Sequence, residues 1–258
     1  MFIPQHSKMI YIKKNRKFCV CIPVINEGER IKKQLQEMFD LGIYKIADVL
    51  ICDGGSKDGS VDDDFLKKMK VKAKLVNLDE KKGLSNQLLT GYHFSVENDY
   101  IGVVTVDGNG KDGIEAIPKF IEKLKEGYAL LQGSRYLPGG LSLNTPKIRH
   151  IAITILHKPV INFISGFKYT DTTNGFRAHL TEVFKDKRIQ VFRNIFDTYA
   201  LIHYLTVRVP QLDYKVSEIA VRRMYPPKGK TLTKISFLRG NLNLLKILFL
   251  CVLKKYNP

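Results

Sequence analysis

Five short runs of apolar, largely β-branched residues, Phe18–Val24, Ile46–Cys52, Ala73–Leu78, Tyr100–Val106 and Tyr128–Gly133, punctuate the first half of the chain. Between them lie Glu29–Asp40, Val61–Lys70, Leu84–Val96 and Ile114–Glu126, where apolar residues recur every three to four positions as on one face of a helix. Strands that are apolar throughout need cover on both faces, and a helix after each strand supplies it through right-handed crossovers. The expected fold is therefore an α/β domain whose mainly parallel sheet is sandwiched by helices. With 258 residues, 44% of them hydrophobic, the chain can bury a full core without disulfide or metal staples. Cys19, Cys21, Cys52 and Cys251 have neither zinc nor redox-motif spacing and read as buried thiols in a reducing compartment.

The second half is organised differently. Pro138-Gly139-Gly140 opens a loop, and Lys147–Ile164 reads as a helix carrying Arg149, His150 and Lys158. A polar segment, Asp171–Arg177, precedes a helix around Asp197–Leu205 and a strand around Tyr214–Val221, and Arg222–Lys230 reads as a basic loop before a final helix, Leu232–Lys255. The domain plan is an N-terminal extension (1–17), a main domain (18–230) and a C-terminal amphipathic helix (231–258) suited to a membrane interface. The N-terminus lacks the apolar core of a signal peptide. The most apolar stretch, Asn241–Leu253, falls short of the roughly 20 residues of a spanning helix. The expectation is a cytoplasmic protein, peripheral at the cytoplasmic face of a membrane.

A formal charge of +17, from 42 Lys+Arg against 25 Asp+Glu, calls for an anionic partner: a phosphate-rich substrate, an anionic membrane or nucleic acid. Nucleic acid is not expected, because the aromatics sit inside apolar runs and do not alternate with Lys and Arg as stacking platforms. Neither Gly-x-Gly-x-x-Gly nor a Walker loop is present, which removes support for hydride transfer and P-loop chemistry.

Open α/β sheets bind ligands at the carboxyl ends of their strands, and here every run ends in polar or glycine-rich residues. Asp107 and Asn109, two apart between Gly108 and Gly110, have the spacing to offer two oxygens to Mg²⁺ or Mn²⁺, or simply to make a polar turn. Asp53–Ser60, with three glycines and two serines, can grip a ribose or a base, or form a plain Asx turn. Arg135, Arg149, Arg177 and Arg223 each lie in or near polar segments, as a phosphate clamp or as solvated surface.

In order, Pro23-x-x-Asn26-Glu27, the Asp53-Gly-Gly-Ser-x-Asp-Gly-Ser60 turn, Gly83 to Gly91, Asp107-Gly-Asn109, Gly133-Ser-Arg-Tyr136 and Asp171-Thr-Thr-Asn-Gly-Phe-Arg177 resemble inverting family 2 glycosyltransferases of the GT-A fold. The similarity is to the dolichyl-phosphate or polyprenyl-phosphate sugar synthase branch and runs from about Phe18 to Tyr225. It implies that Pro23, Glu27 and Asp53 line the base and ribose pocket of a nucleotide sugar, with Gly83 and Arg177 also on the substrate side. It places Asp107 and Asn109 at the metal and diphosphate site, and Arg135 and Arg149 at the acceptor phosphate. Asp171 would face the donor sugar or acceptor, and Arg223 would close over the diphosphate from a mobile loop. The implied reaction is inversion by in-line attack, with Mg²⁺ or Mn²⁺ and the arginines stabilising the leaving group. Asn109 and Lys111 depart from the family's metal motif, weakening the cation's hold, and Lys111 is positioned to replace part of its charge. A phosphate acceptor needs no base, whereas a hydroxyl of a lipid-linked or growing glycan does, and Asp171 is then the base. The alternative from another class is a non-catalytic basic module that binds anionic membrane or nucleic acid.

Overall fold

The computed structural model describes residues 2–13, 16–79, 83–144, 153–225 and 237–258. Its main sheet has eight strands in the order β1-β4-β3-β2-β5-β8-β6-β9. These are β1 (His6–Ile10), β2 (Phe18–Val24), β3 (Asp48–Asp53), β4 (Ala73–Asn77), β5 (Gly102–Thr105), β6 (Leu130–Ser134), β8 (Arg177–Leu180) and β9 (Val216–Ala220). β2 is central, parallel to β3 on one side and to β5 on the other. β2, β3 and β5 are buried at every position, as strands covered on both faces must be. Only β1 and β8 run against the rest, so the carboxyl ends of the other strands line one rim.

The helices cover the sheet as their periodicity requires. α1 (Glu29–Asp40) buries Ile31, Leu35 and Met38, and α4 (Ile117–Lys125) buries Ile117, Phe120, Ile121 and Leu124. α2 (Asp63–Lys68) is capped by the Asp62 carboxylate, which accepts from the backbone N–H groups of Asp64 and Phe65. α3 (Leu84–Glu97) is buried all round from Ser85 to Ser95. Its Gln87 side chain donates to the Val24 and Cys52 carbonyls at 2.6 and 3.0 Å, tying β2 to β3 just where they deliver their last residues to the rim.

Four strands were not visible in the pattern. The expected N-terminal extension contributes β1 as an edge strand antiparallel to β4. β8 slots between β5 and β6, its Arg177 and His179 both buried, so its sequence shows no apolar run. Arg222–Met224, expected within a basic loop, is instead β10, paired in parallel with β7 (Leu141–Leu143).

Of the expected helix Lys147–Ile164, residues 147–152 lie outside the described residues. The rest is a π-helical turn (Ile153–His157) leading into α5 (Lys158–Ser165). A single turn, α6 (Glu182–Lys185), precedes α7 (Ala200–Gln211), which is followed after β10 by α8 (Phe237–Val252). α8 buries Ile247, Leu248 and Cys251 against the core and exposes Leu242, Leu245 and Phe249. Among the described residues no helix is long and apolar enough to cross a membrane.

All four cysteines are buried and free. Two buried histidines, His179 and His203, and the half-buried His157 make the fold sensitive to acid. Burial, reinforced by nearby charge that includes Arg177, pushes His157 and His179 down to about 3 and His203 to about 4. Each has at least one ring nitrogen without a hydrogen-bond partner among the described residues. Their folded values lie below the unfolded one, so the stability linked to their neutral form is complete above about pH 6.5 and falls away as the pH drops toward 4. At pH 5 the unfolded chain gains about 2 kcal/mol per imidazole relative to pH 7.5. Urea unfolding at the two pH values is expected to show this loss, and His203→Gln to reduce it.

Candidate active site

Two loops at the rim are laced into one wall. Asp53, ending β3, accepts through one carboxylate oxygen from the backbone N–H groups of Gly55 and Ser56 at 3.1 and 2.8 Å and from the Ser56 hydroxyl at 2.7 Å. The Ser56 hydroxyl also accepts from the Asn26 N–H at 3.0 Å, while the Asn26 side-chain oxygen accepts from the Lys57 N–H at 2.8 Å. Asp58 accepts from the Gly28 N–H at 2.9 Å. Glu27 is ion-paired with Arg30 at 2.8 Å. Pro23 pairs with Cys52 and Val24 with Asp53 in the β2–β3 register, so Pro23, Glu27 and Asp53 lie at or just beyond the carboxyl ends of these two strands. Gly83 stands apart as the N-cap of α3, beside the Thr198 backbone.

Asp107 and Asn109 follow β5 against that wall. A Cβ on Gly108 would lie 2.9 Å from the Val24 side chain and 3.0 Å from the Pro23 carbonyl, so glycine is what lets this turn pack on the end of β2. On its other side, a Cβ on Gly175 would stand 2.6 Å from Asp107 Oδ1. The Asp171–Arg177 segment thus presses on one oxygen of Asp107, and Arg223 holds the other, its Nη2 donating to Oδ2 at 3.0 Å. Arg223 Nη1 donates to both oxygens of Asp112 at 2.6 Å.

The same region is stitched through the backbone. The Met224 N–H donates to the Lys111 carbonyl at 2.9 Å and the Gly113 N–H to the Arg222 carbonyl at 2.8 Å, with Asp112 and Arg223 bridged between them. Burial alone would lower the Arg223 guanidinium, but Asp112 and Asp107 outweigh it and hold it well above its ordinary value. Arg223 is thus a fixed cation on a strand, which corrects the expectation that it arrives on a mobile loop. Tyr225 lies beneath both basic groups, its ring centroid 5.8 Å from the Arg223 guanidinium and 5.1 Å from the Lys111 ammonium.

Asp171 and Arg135 form a second, deeper pair. Arg135 Nε and Nη2 donate to the two Asp171 oxygens at 2.6 and 2.9 Å, and the side chains are 1% and 0% exposed. Burial would raise Asp171, but Arg135 more than offsets it and leaves the carboxyl below its ordinary value. Glu218 on β9 accepts from the Thr170 and Asp171 N–H groups at 2.8 and 3.0 Å and fixes the turn from behind. An ionised, enclosed and doubly paired carboxylate is a poor proton acceptor, so the geometry corrects the expectation of Asp171 as a general base.

Arg177 is likewise turned inward. It donates to the carbonyls of Asn174, Ile202 and Thr172 at 2.9, 3.0 and 3.2 Å and to the Thr206 hydroxyl, which makes it a clamp under the turn and not a substrate contact. Arg149 lies outside the described residues. Asp112 and Glu218 were not singled out from the sequence, because their partners Arg223 and Thr170–Asp171 lie 111 and 47–48 residues away.

Beside Asn109–Asp112 opens a cavity of about 510 Å³. Its lining combines Arg30, Lys33 and Lys111 with the apolar surfaces of Leu143, Met224 and Tyr225. Among the described residues no group of three or more His, Cys, Asp or Glu is placed to hold a metal ion.

Residues 19–188 match the model of glycosyl transferase family 2. The chain is 25% identical over 174 residues to the polyprenol monophosphomannose synthase of Mycolicibacterium smegmatis, an alignment covering 67% of this chain and 64% of that protein, just under two thirds of its length. It is 25% identical over 201 residues to the undecaprenyl-phosphate mannosyltransferase of Micrococcus luteus, covering 78% and 80% of the two chains. In fold it is similar to glucosyl-3-phosphoglycerate synthase from Mycobacterium tuberculosis, solved with Mn²⁺, uridine diphosphate and phosphoglyceric acid. The TM-score is 0.60 at 12% identity, over 90% of this chain and 78% of that one.

Proposed function

The chain belongs to glycosyl transferase family 2, and from that membership and the geometry of the rim we propose that it moves a sugar from a nucleotide sugar to a polyprenyl-type lipid phosphate, with inversion at the anomeric carbon. The observation that carries the acceptor class is the state of the carboxylates. Glu27 is paired with Arg30, Asp107 and Asp112 with Arg223, and Asp171 with Arg135, while Asp53 holds its own turn. A hydroxyl acceptor needs one of them as a base, whereas a phosphate monoester is already largely ionised near neutral pH. The names of the two relatives point the same way.

In this reading the nucleotide lies along the Pro23–Glu27 and Asp53–Ser60 wall with its diphosphate toward Asp107 and Arg223. A phosphate oxygen of the acceptor attacks the anomeric carbon from the face opposite the diphosphate. The new C–O bond forms as the bond to the diphosphate breaks, and the diphosphate leaves with the bonding electrons. Arg223 stabilises that growing charge, and because Asp112 holds it in place little reorganisation is required. The cavity beside Lys111 is lined by Arg30, Lys33 and Lys111 together with Glu37 and Asp112, and by Leu143, Met224 and Tyr225, so it offers both cations and apolar surface to a phosphate joined to a hydrocarbon tail.

Ile155 and Leu156 just before α5, Phe163 on α5, and Leu242 and Phe249 on α8 are exposed apolar side chains. With the +17 charge, they favour peripheral contact with an anionic membrane, where the acceptor's tail would reside. The match to the family model favours a catalytic domain over a non-catalytic basic module that binds anionic membrane or nucleic acid.

Among the described residues, the donors at Asp107 and Asn109 do not fit the Mg²⁺ or Mn²⁺ expected from the resemblance. One Asp107 oxygen is shared with Arg223, and the Asn109 side-chain oxygen accepts from its own loop. No step above passes through a metal ion.

The test is transfer from GDP- and UDP-hexoses to undecaprenyl phosphate, with undecaprenol as the control. Transfer that requires the phosphate is the expected result. Equal transfer to the alcohol would return the reaction to a base-dependent hydroxyl acceptor.

A further inference from the structure

We propose that Arg223 and Lys111 together do the work of a divalent cation at the diphosphate site, so that this chain binds and releases a nucleoside diphosphate with no resident metal ion. The inference rests on the glycosyltransferase reading and deepens it.

Three observations converge on it. The first concerns Asp107, the carboxylate on which a cation would centre. Its Oδ2 takes an N–H of Arg223 at 3.0 Å, and its Oδ1 faces Gly175 so closely that a methyl group there would come within 2.6 Å. The second concerns Asn109. Its side-chain oxygen accepts from the Lys111 N–H at 3.2 Å, while its Nδ2 faces Asp107 Oδ2 at 3.4 Å. The amide therefore turns its hydrogens, not its oxygen, toward the place where a metal ion would share Asp107. An amide also lacks the second negative charge that a hard cation favours.

The third observation is where the cations stand. Lys111 and Arg223 lie over one ring, Tyr225, and the Met224 N–H to Lys111 carbonyl bond fixes their two segments side by side. Asp112, 1% exposed and held at 2.6 Å by Arg223, serves as the anchor that keeps the guanidinium aimed at Asp107. This is a preorganised pair of positive groups beside two carboxylates, Asp107 and Asp112, both already held by Arg223. A diphosphate arriving there meets charge-assisted donors already in place on Arg223 and Lys111. A divalent cation arriving there meets two positive groups, and both nearby carboxylates, Asp107 and Asp112, are already engaged by Arg223. The site therefore presents donors, and not open acceptor oxygens, to whatever binds it.

Isothermal titration of the purified full chain with GDP and with UDP, each in EDTA and in Mn²⁺, tests this. Binding of one nucleotide is expected in EDTA, strengthened by Mn²⁺ no more than about threefold, because the fixed cations already supply the charge. Without nucleotide, the protein should leave the electron paramagnetic resonance signal of free Mn²⁺ unchanged. Lys111→Gln should weaken binding in EDTA about tenfold, the loss of one charge-assisted contact. The double variant Asn109→Asp with Lys111→Gln should acquire Mn²⁺-dependent binding.

Nucleotide binding that appears only with Mn²⁺, or stoichiometric Mn²⁺ uptake by the unliganded protein, overturns the inference and leaves the glycosyltransferase reading standing. Binding of neither nucleotide under either condition overturns both. The measurements on the unaltered chain decide the matter even if a variant fails to fold.

Discussion

Replacing Arg223 by alanine is expected to lower turnover by roughly 10²–10³-fold, the range seen when one preorganised donor to a developing negative charge is removed. The guanidinium touches Asp107 and sits where the proposed leaving diphosphate gathers charge. Interpretation needs a second variant, because Asp112 is 1% exposed and loses its partner with Arg223. A buried carboxylate without its cation costs about 3–5 kcal/mol. Arg223→Ala should therefore lower both kcat and the unfolding midpoint. Adding Asp112→Asn removes the orphaned charge, and the double variant is expected to regain much of the stability while kcat stays low. Recovery of kcat along with stability would reduce Arg223 to a structural brace.

The second large effect lies at the Arg135–Asp171 pair, where the expected loss is in folding. Both side chains are enclosed, and the pair also receives the Thr173 and Arg135 backbone N–H groups. Arg135→Ala or Asp171→Ala alone strands one charge and should cost about 3–5 kcal/mol in urea unfolding. Removing both charges at once, as Arg135→Met with Asp171→Leu, should recover most of that loss, because a buried ion pair is worth little more than apolar groups of similar volume. Were Asp171 the general base, Asp171→Asn would flatten the acid limb of the pH–rate profile while the fold held. The geometry predicts an unchanged profile for whatever fraction stays folded.

The parts of this molecule that depend on local pattern were readable from the chain. β2 was placed to the residue and α1 likewise, since an all-apolar run and an i, i+4, i+7 stripe leave few alternatives. The rim followed from the polar residues that end each strand. What escaped was set by partners distant in sequence. Arg177 and Arg135 look like surface phosphate ligands in isolation, and only the folded turn shows them spent on Thr206 and Asp171. β8 hides because Arg and His occupy buried positions, satisfied or tolerated by the surrounding core. β10 reads as a basic loop until Asp112 and the Asp107 turn are brought beside it.

Asn109 and Lys111 carried a signal of their own. They depart from the metal motif that the resemblance implies, in the turn where Arg223 meets Asp107 in the folded chain.

The most direct measurement of the account is the configuration of the product formed from a GDP- or UDP-hexose and undecaprenyl phosphate, read by nuclear magnetic resonance at the anomeric carbon. A single glycosyl phosphate inverted relative to the donor, with release of the nucleoside diphosphate, is the predicted result. Retention of configuration, or hydrolysis of the donor with no sugar on the lipid phosphate, would contradict it.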